Sequence, residues 1–295
     1  MEIARTIDEV RRFRRAQSNA SRSGSLGLVP TMGALHAGHL SLVERAREQN
    51  DRVAVSIFVN PTQFGPTEDL SKYPRTFEAD CRILEDIGVD LLFAPDPTVM
   101  YPPSFSAVVD VGPIGQRLDG ASRPGHFAGV ATVVAKLFNI FMPERAYFGQ
   151  KDAAQIAVIR KLVRDLDFPV DIVTCPTVRA PSGLALSSRN QYLSSEQREQ
   201  ALVLSRALNV VQQLLAAGER SVPALLTAAH AVVLEEPAFR IDYIALLDPD
   251  TLESLPALSE AIDAETDPSP KQSALLALAG WLDSTRLIDN VLLRR

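Results

Sequence analysis

Cysteine is scarce in this 295-residue chain, which has only two, Cys81 and Cys175. Two isolated cysteines read as reduced core thiols rather than a disulfide framework. They also fall short of the four ligands that a structural zinc site requires. Long apolar runs are missing as well: no stretch approaches the roughly 20 residues needed to cross a bilayer, so no membrane association is expected. The opening Met1-Glu2-Ile3-Ala4-Arg5 leads into charged sequence without the apolar core of a signal peptide, and a cytoplasmic protein is expected. Positive charge is not in excess. The formal net charge is −6, from 30 basic and 36 acidic residues, which argues against broad nucleic-acid binding. It also means that a polyphosphate ligand would have to be attracted by a few basic groups gathered in one cleft.

What is present is an ordinary globular composition, 46% hydrophobic, with enough length for two domains. Thr6 to Ala16 reads as an amphipathic, arginine-rich helix, its charges most simply a solvated face. Apolar, β-branched runs predict strands at Leu26–Pro30, Arg52–Asn60, Leu91–Ala94, Arg145–Phe148 and Val170–Thr174. Helical patterns fall between them, at Leu40–Glu48, Thr76–Ile87, Val130–Phe141 and Ala153–Leu166. Such alternation indicates an α/β fold with a mostly parallel sheet covered on both faces. The pattern changes near Thr177. Ser194 to Ala217 is helical, Ile241–Leu247 and Ser284–Val291 read as strands, and Ala264–Lys271 is a polar, proline-bearing loop.

The most informative stretch is Val29-Pro30-Thr31-Met32-Gly33-Ala34-Leu35-His36-Ala37-Gly38-His39-Leu40, where a strand hands over to a helix. Free backbone N–H groups and the helix dipole make that junction a favoured phosphate site, and glycine lets the backbone approach closely. His36 and His39 add donors for charge developing on a phosphate. A metal pair is the weaker alternative, because helical ligand pairs use i,i+4 spacing and no third ligand lies close in sequence. A purely structural role is the other.

Two further polar clusters also follow strands, and ligands of parallel sheets bind beyond the strand carboxyl ends at the switch point. In Asn60-Pro61-Thr62-Gln63-Phe64-Gly65, the Gln63 amide suits a ligand with hydroxyl and carboxylate groups; taken alone it reads more simply as a loop amide. In Gly149-Gln150-Lys151-Asp152, Lys151 can reach phosphate oxygens and Asp152 can cap the next helix, placing Gln155 on its first turn. Ser187-Ser188-Arg189-Asn190 is either a phosphate clamp or a polar turn. Arg123-Pro124-Gly125-His126-Phe127 either contacts substrate or connects elements.

Taken together, these segments resemble the pantothenate synthetase (pantoate–β-alanine ligase) family. Glu68-Asp69-Leu70, Tyr73-Pro74-Arg75-Thr76, Tyr147-Phe148-Gly149-Gln150-Lys151-Asp152 and Thr285-Arg286-Leu287-Ile288-Asp289-Asn290 complete eight ordered matches spanning nearly the whole chain. The resemblance implies ATP-dependent joining of (R)-pantoate to β-alanine, giving pantothenate, AMP and pyrophosphate. It implies a Rossmann-like nucleotidyltransferase fold, as in class I aminoacyl-tRNA synthetases, over residues 1–176, a smaller α+β lid domain over 177–295, Mg²⁺ with ATP, and a homodimer. By the same resemblance, Met32, Gly33, Ala34, Leu35, His36, Ala37, Gly38 and His39 bind ATP, as do Gly149, Gln150, Lys151 and Asp152. Val178, Leu186, Ser187, Ser188 and Arg189 complete that site. His39, His36 and Lys151 are the catalytic candidates; Gln63 and Gln155 bind pantoate, and Gln63 also β-alanine. Asp80 is a candidate for the metal environment. Many relatives have methionine in place of Leu186 and aspartate in place of Ser182; the first is a small packing change, the second removes a carboxylate.

Two rival readings differ in class. A nucleotidyltransferase that releases its adenylylated product would yield no AMP on addition of β-alanine. A nucleotide- or RNA-binding protein with a synthetase-like fold would bind ATP without turnover.

Overall fold

The structure, a computed structural model, describes residues 1–18, 24–66, 68–258 and 273–294. The expected loop over 264–271 lies outside them. The chain forms two compact units. One comprises Met1–Gln150 and Val158–Pro176, the other Lys151–Ala157 and Thr177–Arg295.

The first unit alternates strands and helices as expected. Its elements are β1 (Glu2–Ala4), α1 (Ile7–Ser18), β2 (Leu26–Thr31), α2 (Ala37–Gln49), β3 (Arg52–Ile57), α3 (Phe77–Asp86) and β4 (Leu91–Phe93). There follow the short helices α4 (Pro97–Met100) and α5 (Asp119–Ser122), then α6 (His126–Phe141), β5 (Arg145–Gly149), α7 (Ala153–Asp165), whose start up to Ala157 groups with the second unit, and β6 (Asp171–Cys175). The six strands form one parallel sheet in the order β1-β4-β3-β2-β5-β6. From β2 the chain moves outward through β3 to β4, then returns to place β5 on the other side of β2. The strand order therefore reverses between β2 and β5, and the carboxyl ends of β3, β2 and β5 lie side by side. That reversal is where parallel sheets bind ligands.

Both sheet faces are covered, which is why the central strands read as unbroken apolar runs. Val29, Val53, Val55 and Leu92 pack on Leu42, Val43 and Ala46 of α2 and Leu84 of α3. Leu28, Ala54, Leu91 and Phe93 alternate with them and are fully buried. Helix α6 is buried along most of its length, as its composition implied. The sheet edge begins with β1, a three-residue strand too short to leave a period in the sequence.

The second unit contains α8 (Ser195–Gln200), α9 (Leu202–Ala216), α10 (Val222–Leu234), β7 (Phe239–Leu247), β8 (Ser273–Leu282) and β9 (Thr285–Arg294). The strands form an antiparallel sheet in the order β7-β8-β9. Val203, Leu204, Ala207, Leu208 and Val211 make one stripe of α9, packed with Leu225, Ala229 and Val233 of α10 and Leu276 and Leu278 of β8. The single helical stretch expected over 194–217 is two helices that meet at Ala201. Its start is a capping box, in which Ser194 Oγ accepts from Gln197 N and Gln197 Oε1 accepts from Ser194 N.

Leu92 is fully buried at the centre of β4. Leu92→Ala is expected to destabilise the protein by about 2–5 kcal/mol. A lowered urea midpoint with an unchanged denaturant slope would establish this.

Candidate active site

Beyond β2 the chain turns through two successive left-handed residues, Gly33 (φ +81°) and Ala34 (φ +51°). A Cβ on Gly33 would come within 3.1 Å of Asp80 Oδ2 and of the Ile57 side chain, so glycine is required twice over. The turn is held by one buried carboxylate. Ala34 N donates to Asp80 Oδ2 and Leu35 N to Asp80 Oδ1, both at 2.9 Å, while Thr76 Oγ1 donates to Oδ1 at 3.1 Å. Thr31 Oγ1 ties the strand end to Ser56 O and accepts from Gly33 N. Asp80, the metal candidate, is 2% exposed and uses both oxygens to hold this loop. Among the described residues no cluster of three or more His, Cys, Asp or Glu could hold a metal ion. The donor set therefore does not fit a Mg²⁺ site built from protein side chains.

Helix α2 begins at Ala37, three residues before the expected Leu40, because histidine serves as its cap. His36 is the N-cap, and its Nδ1 accepts from Gly38 N at 3.1 Å. His39, at the third helical position, returns the bond: its Nδ1 accepts from His36 N at 3.3 Å. The two rings lie 4.1 Å apart. A Cβ on Gly38 would meet the His36 ring at 2.9 Å, so the glycine makes room for the imidazole. Each Nδ1 accepts a backbone proton, which leaves Nε2 of each neutral ring to carry the proton. Two N–H donors are thereby set at the end of β2, where the helix dipole already favours an anion.

The loop after β3 is built around Asn60. Its Nδ2 donates to Gln63 Oε1 at 2.8 Å and to Gly129 O at 3.1 Å; its Oδ1 accepts from Thr62 Oγ1 and Tyr101 Oη. Gln63 is 9% exposed, with its carbonyl end fixed by Asn60. Its main chain is clamped from α6. His126 Nδ1 donates to Gln63 O at 2.8 Å, and Arg123 Nη2 donates to the same oxygen at 3.2 Å. Arg123 forms a bidentate pair with Glu68, at 2.8 and 2.6 Å, and donates to His126 Nε2 at 3.1 Å. A Cβ on Gly129 would lie 2.2 Å from Thr62 O, so only glycine lets α6 approach this loop. Burial and the Arg123 charge push the His126 pKa down from 6.5 to about 4, so the ring is neutral, with the proton on Nδ1. The Arg123–His126 segment, left open between substrate contact and connector, is a clamp on Gln63.

At the end of β5, Gly149 has nothing within 4 Å of where a Cβ would stand. Gln150–Asp152 form a 3-10 turn that runs into α7, with Gln155 on its first helical turn. Lys151 Nζ lies 3.9 Å from Asp152 Oδ1. Lys151, Asp152 and Gln155 belong to the second unit. There Val178 and Leu186 are paired, Leu186 N donating to Val178 O at 3.0 Å, and the hairpin between them turns at Gly183 (φ +97°). Ser182, one of the two departures, is exposed on that turn. Ser187 caps the 3-10 turn Ser188–Tyr192, its hydroxyl accepting from Arg189 N. The sequence gives no individual role to Asn60, Glu68, Asp289 or Asn290, and it leaves His126 between substrate contact and connector. The only local signal was the three-residue spacing of Asn60 from Gln63 and of Arg123 from His126.

Two outcomes follow from this geometry. In Asp80→Asn the amide nitrogen replaces an acceptor facing a buried N–H, and stability is expected to fall by about 1–3 kcal/mol. Urea unfolding reads the loss, and faster amide exchange at Ala34 and Leu35 localises it. His126 gives a pH dependence. Between about pH 6.5 and 4 the unfolded chain takes up a proton that the native ring refuses. Native stability therefore falls as pH drops through that window, with a slope of up to about 1.4 kcal/mol per pH unit from this group. His126→Gln keeps a donor for Gln63 O and removes the titration, so the acid limb should flatten; an unchanged limb would assign the slope elsewhere.

Comparison with known proteins places the chain in a family. The family model described as pantoate-beta-alanine ligase matches residues 2–292. A pantothenate synthetase from Acidobacterium capsulatum is 55% identical, over 99% of this chain and 97% of its own length. The crystal structure of pantothenate synthetase from Thermus thermophilus is 46% identical and superposes with a TM-score of 0.89 over the full length of both chains. That of pantoate-beta-alanine ligase from Francisella tularensis, complexed with beta-gamma ATP and beta-alanine, is 34% identical with a TM-score of 0.71, covering 99% of this chain and 97% of the other. Matched over almost all its length in both sequence and fold, the chain belongs to the pantoate–β-alanine ligase family.

Proposed function

We infer that this chain uses ATP to condense (R)-pantoate with β-alanine, giving pantothenate, AMP and pyrophosphate, through an enzyme-bound pantoyl adenylate. The observation that carries this reading is the His36–His39 capping box at the sheet reversal, in a chain matched by the family model over residues 2–292. A carboxylate is a poor acceptor for an amine, so it needs activation. One pantoate carboxylate oxygen attacks the α-phosphorus of ATP, the bond to the β-phosphate oxygen breaks, and pyrophosphate leaves. The β-alanine amine then attacks the acyl carbon, loses a proton, and expels AMP. No protein nucleophile is needed, so positioning and charge stabilisation dominate.

The site residues take the following roles in this proposal. Met32 to His39 and Gly149 to Asp152 bind ATP, together with Val178 and Leu186 to Arg189. The Nε2–H groups of His36 and His39 and the Lys151 ammonium meet the charge that develops on the phosphates. Gln63 and Gln155 hold pantoate, and Gln63 lies near β-alanine. The amide end of Gln63 suits this, because Asn60 already occupies its carbonyl oxygen. Mg²⁺ is proposed as the companion of the ATP phosphates, since Mg²⁺ is commonly bound through phosphate and water. Residues 1–176 act as the nucleotide and pantoate domain, 177–295 as a lid that shields the adenylate from water, and the working form is a cytoplasmic homodimer.

Removing one donor aimed at transition-state charge lowers the rate on the order of 10²–10³-fold. His39→Ala and Lys151→Ala should each lose pantoate-dependent pyrophosphate release to that extent while remaining folded. Near-normal release from folded His39→Ala would remove the histidine from the mechanism.

A further inference from the structure

We propose that Asp289 and Asn290, neighbours on β9, are positioning residues for adenylation: Asn290 holds the Lys151 main chain, and Asp289 holds the hairpin leading into Ser187–Arg189. This rests on the role given above to Lys151. Successive residues of a strand point to opposite faces, so the two side chains reach different partners. Asn290 Nδ2 donates to Lys151 O at 2.8 Å. Asp289 accepts from Arg179 through both oxygens, Nη1 at 2.6 Å and Nη2 at 2.8 Å, and its Oδ1 also accepts from Asn290 N. Arg179 Nη1 in turn donates to Gly183 O at 3.1 Å, fastening the turn of the Val178–Leu186 hairpin.

Burial makes this polar pair conspicuous. Asp289 is 3% and Asn290 5% exposed, on a strand whose other buried residues include Leu287 and Leu293. An apolar residue would suit such a strand, whereas a buried carboxylate is tolerated only when paired. The pairing is specific in what it fixes. Lys151 carries its charge on a long flexible stem, so the reach of the ammonium depends on where its main chain is held. Val178 and Leu186 are the two ends of the hairpin that Arg179 and Asp289 clamp, and Ser187 and Arg189 follow it; all four are given to ATP in the reading above. One dipeptide therefore sets the main chain of Lys151 and of the Ser187–Arg189 loop within the second unit.

Asn290→Ala is the cleaner variant, because it removes the bond to Lys151 O and leaves the Arg179–Asp289 pair intact. The first half-reaction is read as pantoate-dependent pyrophosphate release without β-alanine. The second is read as AMP release when β-alanine meets the preformed enzyme adenylate. Asn290→Ala should slow the first on the order of 10- to 10²-fold, the scale of a misplaced reacting group, and leave the second within about twofold. Asp289→Asn, which keeps the shape and loses the charge, should raise the KM for ATP more than that for pantoate. In a double-mutant cycle, Asn290→Ala should add no further loss to Lys151→Ala. Wild-type adenylation by Asn290→Ala, equal slowing of both half-reactions, or full additivity with Lys151→Ala would each overturn the positioning role. Intact adenylation by Lys151→Ala itself would instead remove the reading on which it rests.

Discussion

A single buried carboxylate, Asp80, governs the end of β2. Its two oxygens accept the main-chain protons of Ala34 and Leu35, and these bonds hold Gly33 and Ala34 in their left-handed turn. That turn determines where His36 stands, and His36 determines where α2 begins. The capping box then fixes both imidazoles with their Nδ1 atoms turned inward. A loop in such a backbone conformation would not persist without strong acceptors, because non-glycine residues rarely adopt positive φ. The same carboxylate thus serves helix capping and, through it, the placement of donors for an anion.

The Gln63 loop is organised by charge in a similar way. Arg123 is neutralised by Glu68 and still directs two of its donors at His126 and Gln63 O. Burial and the nearby cation keep His126 neutral, and a neutral ring with its proton on Nδ1 is the donor that the Gln63 carbonyl needs. A histidine protonated at physiological pH would lose its acceptor toward Arg123 and place two like charges 3.1 Å apart. Electrostatics here set geometry, and the geometry presents the Gln63 amide.

Much of the fold was legible because the first unit obeys simple periods. The runs Leu26–Pro30 and Arg52–Asn60 are mostly apolar without alternation, as strands covered on both faces must be, although the second strand ends at Ile57. The start of α2 was misplaced because histidine is not among the usual capping residues. Strand β8 was not singled out: Ala274–Gly280 are all buried, so its sequence shows neither a period of two nor a helical stripe. Residue types at the site were legible, since Gly33, His36, Gly38 and His39 lie in one stretch. Their supports were not. Asp80 acts 46 residues from Ala34, and His126 acts 63 residues from Gln63. Distances of that kind are set by packing of α3 and α6 on the sheet, which no local spacing records.

The central claim is that pantoate is activated before the amine arrives, at a site that stabilises phosphate charge. Rapid quench of enzyme with ATP and pantoate, β-alanine withheld, tests it most directly. The account predicts a burst of pyrophosphate stoichiometric with enzyme, no comparable release of free AMP, and AMP appearing once β-alanine is added. Pyrophosphate formed without pantoate, or formed only in the presence of β-alanine, would contradict it.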